Sequence, residues 1–350
     1  MTRRRAFWLW LACLTFASEG RSDTARPPAA NPEGPRHAPA PLLRLHQDES
    51  VYAVALSPDG KTLAGTIGKT IQLWETATGK ETCTLAGHSL DVRSVAFAPN
   101  GKTLASGGFD KEIHLWNTAT GKEIRTWSGH QQPVQCVAFS PDGGALASTD
   151  DEETVRLWEV ASGKLTKELR HPSEVESVAF SPDGKTLASV GGLTTRLWDV
   201  GQGKEIRKWT RATLGPGDTP PAVHSVAFSP DGKMLAAGIG NFIRVWEVAS
   251  RKEVATLRGH EGLVVINALA FSPDSKTLAS GSGASSSMDT GEEQCLRLWD
   301  VATGKEVCGW GGHPVCVHSL AFSPDGKILA SGGDKGVLTW RMPSARQRDK

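Results

Sequence analysis

The chain has 350 residues and a formal net charge of +1 at pH 7. This length would allow two ordinary domains. The near-neutral charge argues against binding to a nucleic-acid backbone, which needs clustered positive charge, so we expect no nucleic-acid partner.

The N-terminus has the pattern of an export signal. Arg3, Arg4 and Arg5 form a basic start, residues 6–17 are apolar, and small residues follow at positions 17, 18 and 20. These are the parts of a signal peptide, and the apolar stretch is short for a membrane span. We therefore expect residues 1–20 to be a signal peptide and the protein to be exported, to the periplasm, the cell envelope or the medium. The alternatives are an uncleaved anchor and a buried N-terminal strand.

Two further segments lack the pattern of packed structure. Residues 21–40 are rich in proline and alanine, which predicts a flexible tether. Residues 342–350 are mostly polar and predict a disordered tail.

One pattern recurs seven times over residues 41–341. Each unit has a turn similar to Ser-Pro-Asp-Gly, an apolar run and a closing tryptophan. The tryptophans are Trp74, Trp116, Trp158, Trp198, Trp246, Trp299 and Trp340, which are 40 to 53 residues apart. A period near 40 with short strands indicates a radial array of four-stranded blades. We predict an all-β, seven-bladed β-propeller of antiparallel blades.

A single unit can be divided into four strands. Residues 92–97 alternate and are rich in β-formers, which predicts the first strand. The Ala-Pro-Asn-Gly sequence at 98–101 is a turn, because proline presets φ and glycine accepts positive φ. Residues 103–106, 113–116 and 123–127 complete the blade.

The N-terminal end of the repeat region predicts how the ring closes. After Trp340 too little chain remains for a fourth strand of blade 7, whereas residues 41–46 imitate the fourth-strand pattern of residues 255–260. We expect the N-terminal strand to complete blade 7 and remove a free sheet edge.

These repeats resemble the WD-repeat β-propeller family, in the manner of an exported, bacterial-type member. The resemblance implies a structural tetrad of a histidine from a Gly-His pair, a second-strand serine, a turn aspartate and the tryptophan. Carried onto this sequence, it assigns two complete tetrads: His88, Ser106, Asp110 and Trp116 in blade 2, and His313, Ser331, Asp334 and Trp340 in blade 7.

Other blades depart from this pattern. Blade 3 offers His130, Ser148 and Trp158, with Glu152 at the aspartate position. Blades 1, 4 and 5 carry glycine there, and blade 5 also lacks a preceding Gly-His pair. Tetrad hydrogen bonding is therefore in doubt in those blades, although the tryptophan and the apolar alternation persist.

Catalytic and metal motifs are missing from the sequence. No phosphate-binding glycine loop and no C-x-x-C pair occurs, and the repeated aspartates occupy one turn position. His224 and His318 break the repeat, and we interpret them as polar residues at the rim of the axial channel. We predict no catalytic residue, no cofactor and no metal.

A recognition surface is expected where the repeats differ. The resemblance implies that partners bind the face with the Gly-His loops and the turns between second and third strands. Insertions at 210–222 and 282–293 are expected on this face. The predicted partner-binding residues are Tyr52, Arg93, Phe109, Gln135, Glu176, His224, Asn267 and His318.

The sequence thus predicts a non-catalytic scaffold that is a monomer without a membrane span and binds a protein or peptide. The alternatives are a propeller enzyme, either a periplasmic hydrolase or a quinoprotein-like dehydrogenase, and a carbohydrate- or cell-wall-binding lectin. An enzyme would need a cluster of acid–base or metal-binding groups at the channel, and a lectin would need solvent-facing aromatic residues in each blade.

Overall fold

The computed structural model describes residues 39, 41–45, 50–210, 223–260, 264–284, 295–334 and 336–343. These residues form seven four-stranded antiparallel sheets, and no helix occurs among them. The predicted seven-bladed β-propeller is confirmed. The predicted signal peptide, nearly all of the tether and most of both insertions lie outside the described residues. No helix long and apolar enough to cross a membrane is found in the described part of the chain.

The strands follow one another in chain order within six of the seven blades. Blade 1 comprises β2 (Val54–Leu56), β3 (Thr62–Ile67), β4 (Thr70–Glu75) and β5 (Glu81–Ala86). Blade 2 comprises β6 (Val92–Phe97), β7 (Thr103–Gly108), β8 (Ile113–Asn117) and β9 (Glu123–Trp127). Blade 3 comprises β10 (Val134–Phe139), β11 (Ala145–Asp150), β12 (Thr154–Glu159) and β13 (Leu165–Arg170). Blade 4 comprises β14 (Ser177–Phe180), β15 (Thr186–Gly191), β16 (Thr194–Asp199) and β17 (Lys204–Thr210).

The remaining blades include the one that closes the ring. Blade 5 comprises β18 (Val223–Phe228), β19 (Met234–Ile239), β20 (Phe242–Glu247) and β21 (Glu253–Arg258). Blade 6 comprises β22 (Val264–Phe271), β23 (Thr277–Ala284), β24 (Leu296–Asp300) and β25 (Glu306–Trp310). Blade 7 comprises β26 (Val317–Phe322), β27 (Ile328–Gly333), β28 (Gly336–Arg341) and β1 (Pro41–Leu45).

Strand β1 supplies the fourth strand of blade 7. It pairs antiparallel with β28, with Leu43 opposite Thr339 and Leu45 opposite Val337. The first and last blade-forming segments are thereby joined in one sheet, and β28 has a partner on each side. The prediction that the N-terminal strand completes blade 7 is confirmed.

The core lies between the blades. Trp116 of blade 2 packs in one apolar cluster with Ala64 and Leu73 of blade 1, and Trp158 of blade 3 packs with Ile113 of blade 2. The third-strand tryptophans are at most 4% exposed. Because each blade buries its tryptophan against the preceding blade, the repeat unit gains most of its burial only within the ring.

The repeated aspartates stabilise the turns after the first strands. In blade 1 the Ser57 hydroxyl donates to Asp59 Oδ1 at 2.6 Å, and Asp59 accepts the Lys61 backbone N–H at 3.0 Å. Gly60 has φ +72°, the left-handed region that glycine adopts readily. The hydrogen bond from Ser57 is the main reason that the pKa of Asp59 is lowered. These carboxylates are therefore turn caps, as predicted.

The packed part of the propeller extends past residue 341, the predicted C-terminal boundary, to Met342. Met342 is buried in the cluster between blades 6 and 7, and its backbone N–H donates to Lys327 O at 2.8 Å. Its assignment to a disordered tail is wrong, because an apolar side chain beside the last strand can still reach the core.

Candidate functional site

One residue from each blade contributes to a pocket at one end of the central channel. The pocket has a volume of about 160 Å³. We call its lining residues the channel ring, and they are Tyr52, Arg93, Gln135, Glu176, His224, Asn267 and His318. The structure thus brings together seven of the eight residues that the sequence nominates for partner binding. The eighth, Phe109, lies beside the ring and contacts two of its members.

Local irregularities of the first strands place the ring residues. In blade 2, Val92 pairs with Gly108 and Ser94 with Gly107, so Arg93 is an extra residue in β6. The same skip occurs at the ring residues of four other blades, namely Gln135, His224, Asn267 and His318. Such β-bulges redirect a side chain relative to the regular alternation. In five blades, therefore, a β-bulge at the same position directs a variable side chain toward the channel.

The two remaining ring residues lie just before the first strand of their blade. Tyr52 lies two residues before β2, and its backbone N–H donates to Thr66 Oγ1 at 3.1 Å. Glu176 directly precedes β14, and its backbone N–H donates to Val190 O at 2.9 Å. Their backbones are therefore held by the second strand of the same blade.

Arg93 is the centre of an aromatic and cationic sector of the ring. Its guanidinium carbon lies 5.0 Å from the centre of the Tyr52 ring and 5.4 Å from that of Phe109. The two aromatic rings meet edge to face at 6.4 Å. Arg93 Nε also donates to Gln135 Oε1 at 3.0 Å. These contacts restrict the arginine to one orientation, and Phe109 is a support for that orientation rather than an isolated surface aromatic.

The neighbouring sector, over blades 3 and 4, is acidic. The pKa of Glu176 is raised, first by burial and then by Asp151, against the opposing effect of Arg93. Burial also raises the pKa of Asp151 and of Glu174, and Glu174 is raised further by the other two carboxylates. Gln135 Nε2 donates to Asp151 Oδ1 at 2.6 Å and thereby connects the acidic sector to Arg93.

The two histidines of the ring have different surroundings. His318 Nε2 lies 3.1 Å from Asp334 Oδ1, and the His318 ring contacts Tyr52 at a centroid distance of 5.5 Å. Burial lowers the pKa of His224, which favours its neutral form. The histidines belong to blades 5 and 7, and the structure pairs neither with the other.

The tetrad of blade 2 is brought together as a hydrogen-bonded chain. Trp116 Nε1 donates to Ser106 Oγ at 2.8 Å, Ser106 Oγ lies 2.7 Å from His88 Nε2, and His88 Nδ1 lies 2.8 Å from Asp110 Oδ2. All four side chains are buried or nearly so. Their role is to satisfy polar atoms inside the blade.

Blade 3 has the same chain with a different carboxylate. His130 Nδ1 lies 2.6 Å from Asp150 Oδ2, and Ser148 Oγ contacts both His130 Nε2 and Trp158 Nε1. The assignment of Glu152 to this position is wrong, because Asp150, the last residue of β11, contacts His130 from two residues earlier in the chain. Glu152 instead pairs with Arg156 Nη2 at 3.2 Å.

In blade 7 the aspartate assigned to the tetrad contacts the channel ring. His313 Nε2 lies 2.8 Å from Ser331 Oγ, which accepts a hydrogen bond from Trp340 Nε1 at 2.9 Å. Asp334 accepts from the backbone N–H of Cys316 at 2.7 Å and contacts His318 of the ring. The aspartate thus positions a ring histidine.

The bulges and the acidic residues beside the ring are features that sequence reasoning missed. A signal for the bulges was present: in Val-Arg-Ser-Val, Val-His-Ser-Val and Val-His-Ser-Leu the polar variable residue interrupts apolar alternation at the start of the first strand. Asp151 and Glu174 carry no repeat signal, because each occurs in one blade.

Comparison with known proteins agrees with the repeat architecture. The family model described as WD domain, G-beta repeat matches residues 40–75, 79–117, 121–159, 163–199, 210–247, 251–300 and 304–341. The chain is 34% identical over 92 residues to Protein HIRA of Caenorhabditis elegans, which is 21% of this chain and 10% of that protein. It is 42% identical over 48 residues to the serine-threonine kinase receptor-associated protein of Gallus gallus, or 14% of each chain.

A third relative shows the same local similarity. The chain is 45% identical over 47 residues to the WD40 repeat-containing protein HOS15 of Arabidopsis thaliana, covering 13% of this chain and 7% of that protein. The matches therefore span only a small part of each of these relatives.

Proposed function

Because this chain belongs to the WD-repeat family, whose propellers generally bind proteins, we propose that it is a non-catalytic scaffold that binds a protein or peptide segment at the channel ring. The observation that carries the proposal is the convergence of seven chemically different side chains, one from each blade, on one pocket. Variable polar and aromatic groups on a rigid framework suit selective binding.

The opposite end of the first strands offers less to distinguish one partner from another. Arg93 lies near the start of β6, whereas the turn at 98–101 follows its last residue, Phe97. Turns at this end repeat nearly the same Ser-Pro-Asp-Gly sequence in the other blades. A partner there would meet similar groups around the whole ring, so discrimination favours the channel ring.

The contacts within the ring support binding rather than catalysis. Arg93, Gln135 and Asp151 are hydrogen-bonded in series, and His318 is held by Asp334. The described lining residues include no aliphatic hydroxyl and no thiol that could serve as a nucleophile beside the two histidines. The arrangement is that of a fixed set of donors and acceptors.

A peptide selection tests the proposed surface. Peptides selected from a random library on the full-length protein would be measured against wild type, Arg93→Ala and Glu176→Gln by fluorescence anisotropy. We expect Arg93→Ala to raise the Kd at least tenfold, about 1.4 kcal/mol, because an oriented charged donor is lost. Lys102→Ala is the matched control, since this exposed residue lies at the turn end of blade 2.

Two outcomes would contradict the proposal. Equal affinities for all four proteins would place the binding surface elsewhere on the propeller. Substrate turnover that persists through purification and disappears in His224→Ala or His318→Ala would show an enzyme.

Export as a bacterial-type signal-bearing protein is a separate part of the proposal. It is supported by the basic, apolar and small-residue order of residues 1–20. Residues 1–40 fused to a reporter enzyme that is active only outside the cytoplasm should give activity in a bacterial host. Replacing Leu9 and Leu11 together by arginine should abolish it, and an unchanged signal would refute export by this segment.

A further inference from the structure

Blade 2 differs from four other blades at one position of its third strand. The residue opposite the second-strand serine position is arginine in blades 3, 4, 5 and 6, namely Arg156, Arg196, Arg244 and Arg297. In blade 2 this residue is His114, which pairs with Ser106. The backbone register is the same, so the side chains can be compared directly.

In blade 3 the arginine compensates the carboxylates around the tetrad. Arg156 Nη1 donates to Asp150 Oδ2 at 2.6 Å, and its other nitrogens lie 3.2 Å from Glu152 and 3.3 Å from Glu168. A guanidinium carries a permanent positive charge, so the buried aspartate has a fixed cationic partner.

In blade 2 comparable carboxylates surround an imidazole instead. Asp110 belongs to the tetrad, while Glu112, just before β8, and Glu123, in β9, both approach His114. His114 Nδ1 lies 3.0 Å from Glu123 Oε2, and a carboxylate can only accept, so Nδ1 carries the hydrogen. In the neutral ring, Nε2 then has a lone pair.

The Nε2 atom of His114 is buried inside the blade. The His114 side chain is 4% exposed, and within the described structure its Nε2 has no hydrogen-bond partner. Glu112 Oε2 lies 3.5 Å from it. An imidazole held through one nitrogen by a carboxylate, with the other nitrogen available, is the usual second-shell arrangement of a metal-binding histidine.

Further ligand atoms lie close by. One nitrogen of His88, one nitrogen of His114 and one carboxylate oxygen of Asp110 lie within 4.8 Å of one another. Ligands bound tetrahedrally at 2.0–2.1 Å would be separated by roughly 3.3 Å, so small side-chain shifts would bring these atoms around one ion. Glu112 is 41% exposed and gives the site both a fourth ligand atom, a carboxylate oxygen, and a route from solvent.

We propose that blade 2 binds one divalent transition-metal ion of the zinc class through His88, Asp110 and His114, with Glu112 as the fourth ligand. The ion would take the place that a guanidinium has in blade 3 and would replace the proton shared by His88 and Asp110. The sequence predicts no metal site because it lacks C-x-x-C pairs, but this ligand set uses nitrogen and oxygen atoms only.

Metal titration of the full-length protein without an affinity tag tests the site. After treatment with a chelator, the protein would be titrated with Zn²⁺ by calorimetry and with Co²⁺ by visible absorption. We expect one equivalent to bind in wild type, with a four-coordinate Co²⁺ spectrum that lacks thiolate charge-transfer bands. His114→Arg should weaken binding on the order of 100-fold or more, since a ligand is lost and a cation occupies its place.

His114→Arg is a suitable variant because the same arginine is accommodated in blade 3, and its folding can be verified by thermal unfolding. His318→Gln is the matched control, since it removes another histidine paired with an aspartate, at the channel ring. The control should bind as wild type does, and Zn²⁺ should raise the Tm of wild type and of the control but not of His114→Arg. Absence of one-equivalent binding, full affinity in His114→Arg, or loss of binding in His318→Gln alone would each overturn the proposal.

Discussion

Blades 2 and 5 have the same backbone plan but stabilise their tryptophans differently. Trp116 is 1% exposed and Trp246 is 2% exposed. In blade 2 the indole N–H enters a hydrogen-bonded chain through Ser106, whereas blade 5 has Ala237 at the serine position. There, Trp209 of the preceding blade packs on Trp246 at a centroid distance of 5.2 Å. Apolar burial is common to both blades, so it, rather than the tetrad, is what a blade requires.

The largest expected effect is therefore one that blades 2 and 5 share. Trp116→Ala and Trp246→Ala should each lower the free energy of unfolding by roughly 3–5 kcal/mol, as large core truncations do. Trp116→Ala should be the more costly, because it also removes the donor to Ser106. Urea unfolding of both variants measures this difference. A negligible effect at Trp246 alone would show that the tetrad is essential to blade stability.

A second difference between blades 2 and 5 is expected at the serine position of the second strand. Ser106→Ala should cost roughly 1–3 kcal/mol, because His88 Nε2 and Trp116 Nε1 lose the atom that joins them inside the blade. Ala237→Ser in blade 5 is the reciprocal change, and it should not stabilise the protein, since no Gly-His pair precedes this blade. Urea unfolding would again be used. A gain in stability from Ala237→Ser would mean that blade 5 has a partner for the hydroxyl.

Acid should act through the buried tetrad histidines, which blades 6 and 7 have and blade 5 lacks. Burial, followed by Arg297, lowers the pKa of His260 to about 3, and burial lowers that of His313 to about 4. Histidine in the unfolded chain titrates near about 6.5, so the unfolded state binds protons first. The stabilisation from these neutral histidines is complete above about pH 6.5 and is lost progressively as the pH falls from there to the folded-state values.

A substitution isolates this acid effect. His260→Gln keeps a polar side chain near Ser280, which His260 Nε2 contacts at 2.7 Å. The stability penalty of the variant should be smaller at pH 5 than at pH 7.5 by about 1–2 kcal/mol, because only wild type loses the histidine contribution in between. Urea midpoints at the two values measure it. A penalty that does not change with pH would contradict burial of a neutral His260.

The sequence predicts more of the fold than of the candidate site. Seven recurring tryptophans and turns specify blades, and the pattern of residues 41–46 specifies the closing strand, because both depend on local periodicity. The channel ring could be predicted as variable positions. Its bulges, and the carboxylates Asp151 and Glu174, depend on pairing and packing that a repeat does not encode. Glu152 was misplaced because the repeat alignment puts it at the position of Asp110, whereas blade 3 uses Asp150, which lies at the position of Gly108 in blade 2.

The smallest expected effect concerns the position at which blade 2 differs from its neighbours. His114→Arg should change the free energy of unfolding by less than about 1 kcal/mol in metal-free buffer. The new guanidinium would have Asp110 and Glu123 as partners, as Arg156 has Asp150 and Arg297 has Glu306. Hydrogen-bonded charge pairs can offset the desolvation of a partly buried arginine. His114→Leu is the comparison variant, since Leu338 occupies this position in blade 7. This variant should be less stable than His114→Arg, because Asp110 and Glu123 lose a polar neighbour. Urea unfolding in the presence of a chelator measures both, and a large loss of stability in His114→Arg would mean that blade 2 is built around an imidazole and is not interchangeable with blade 3.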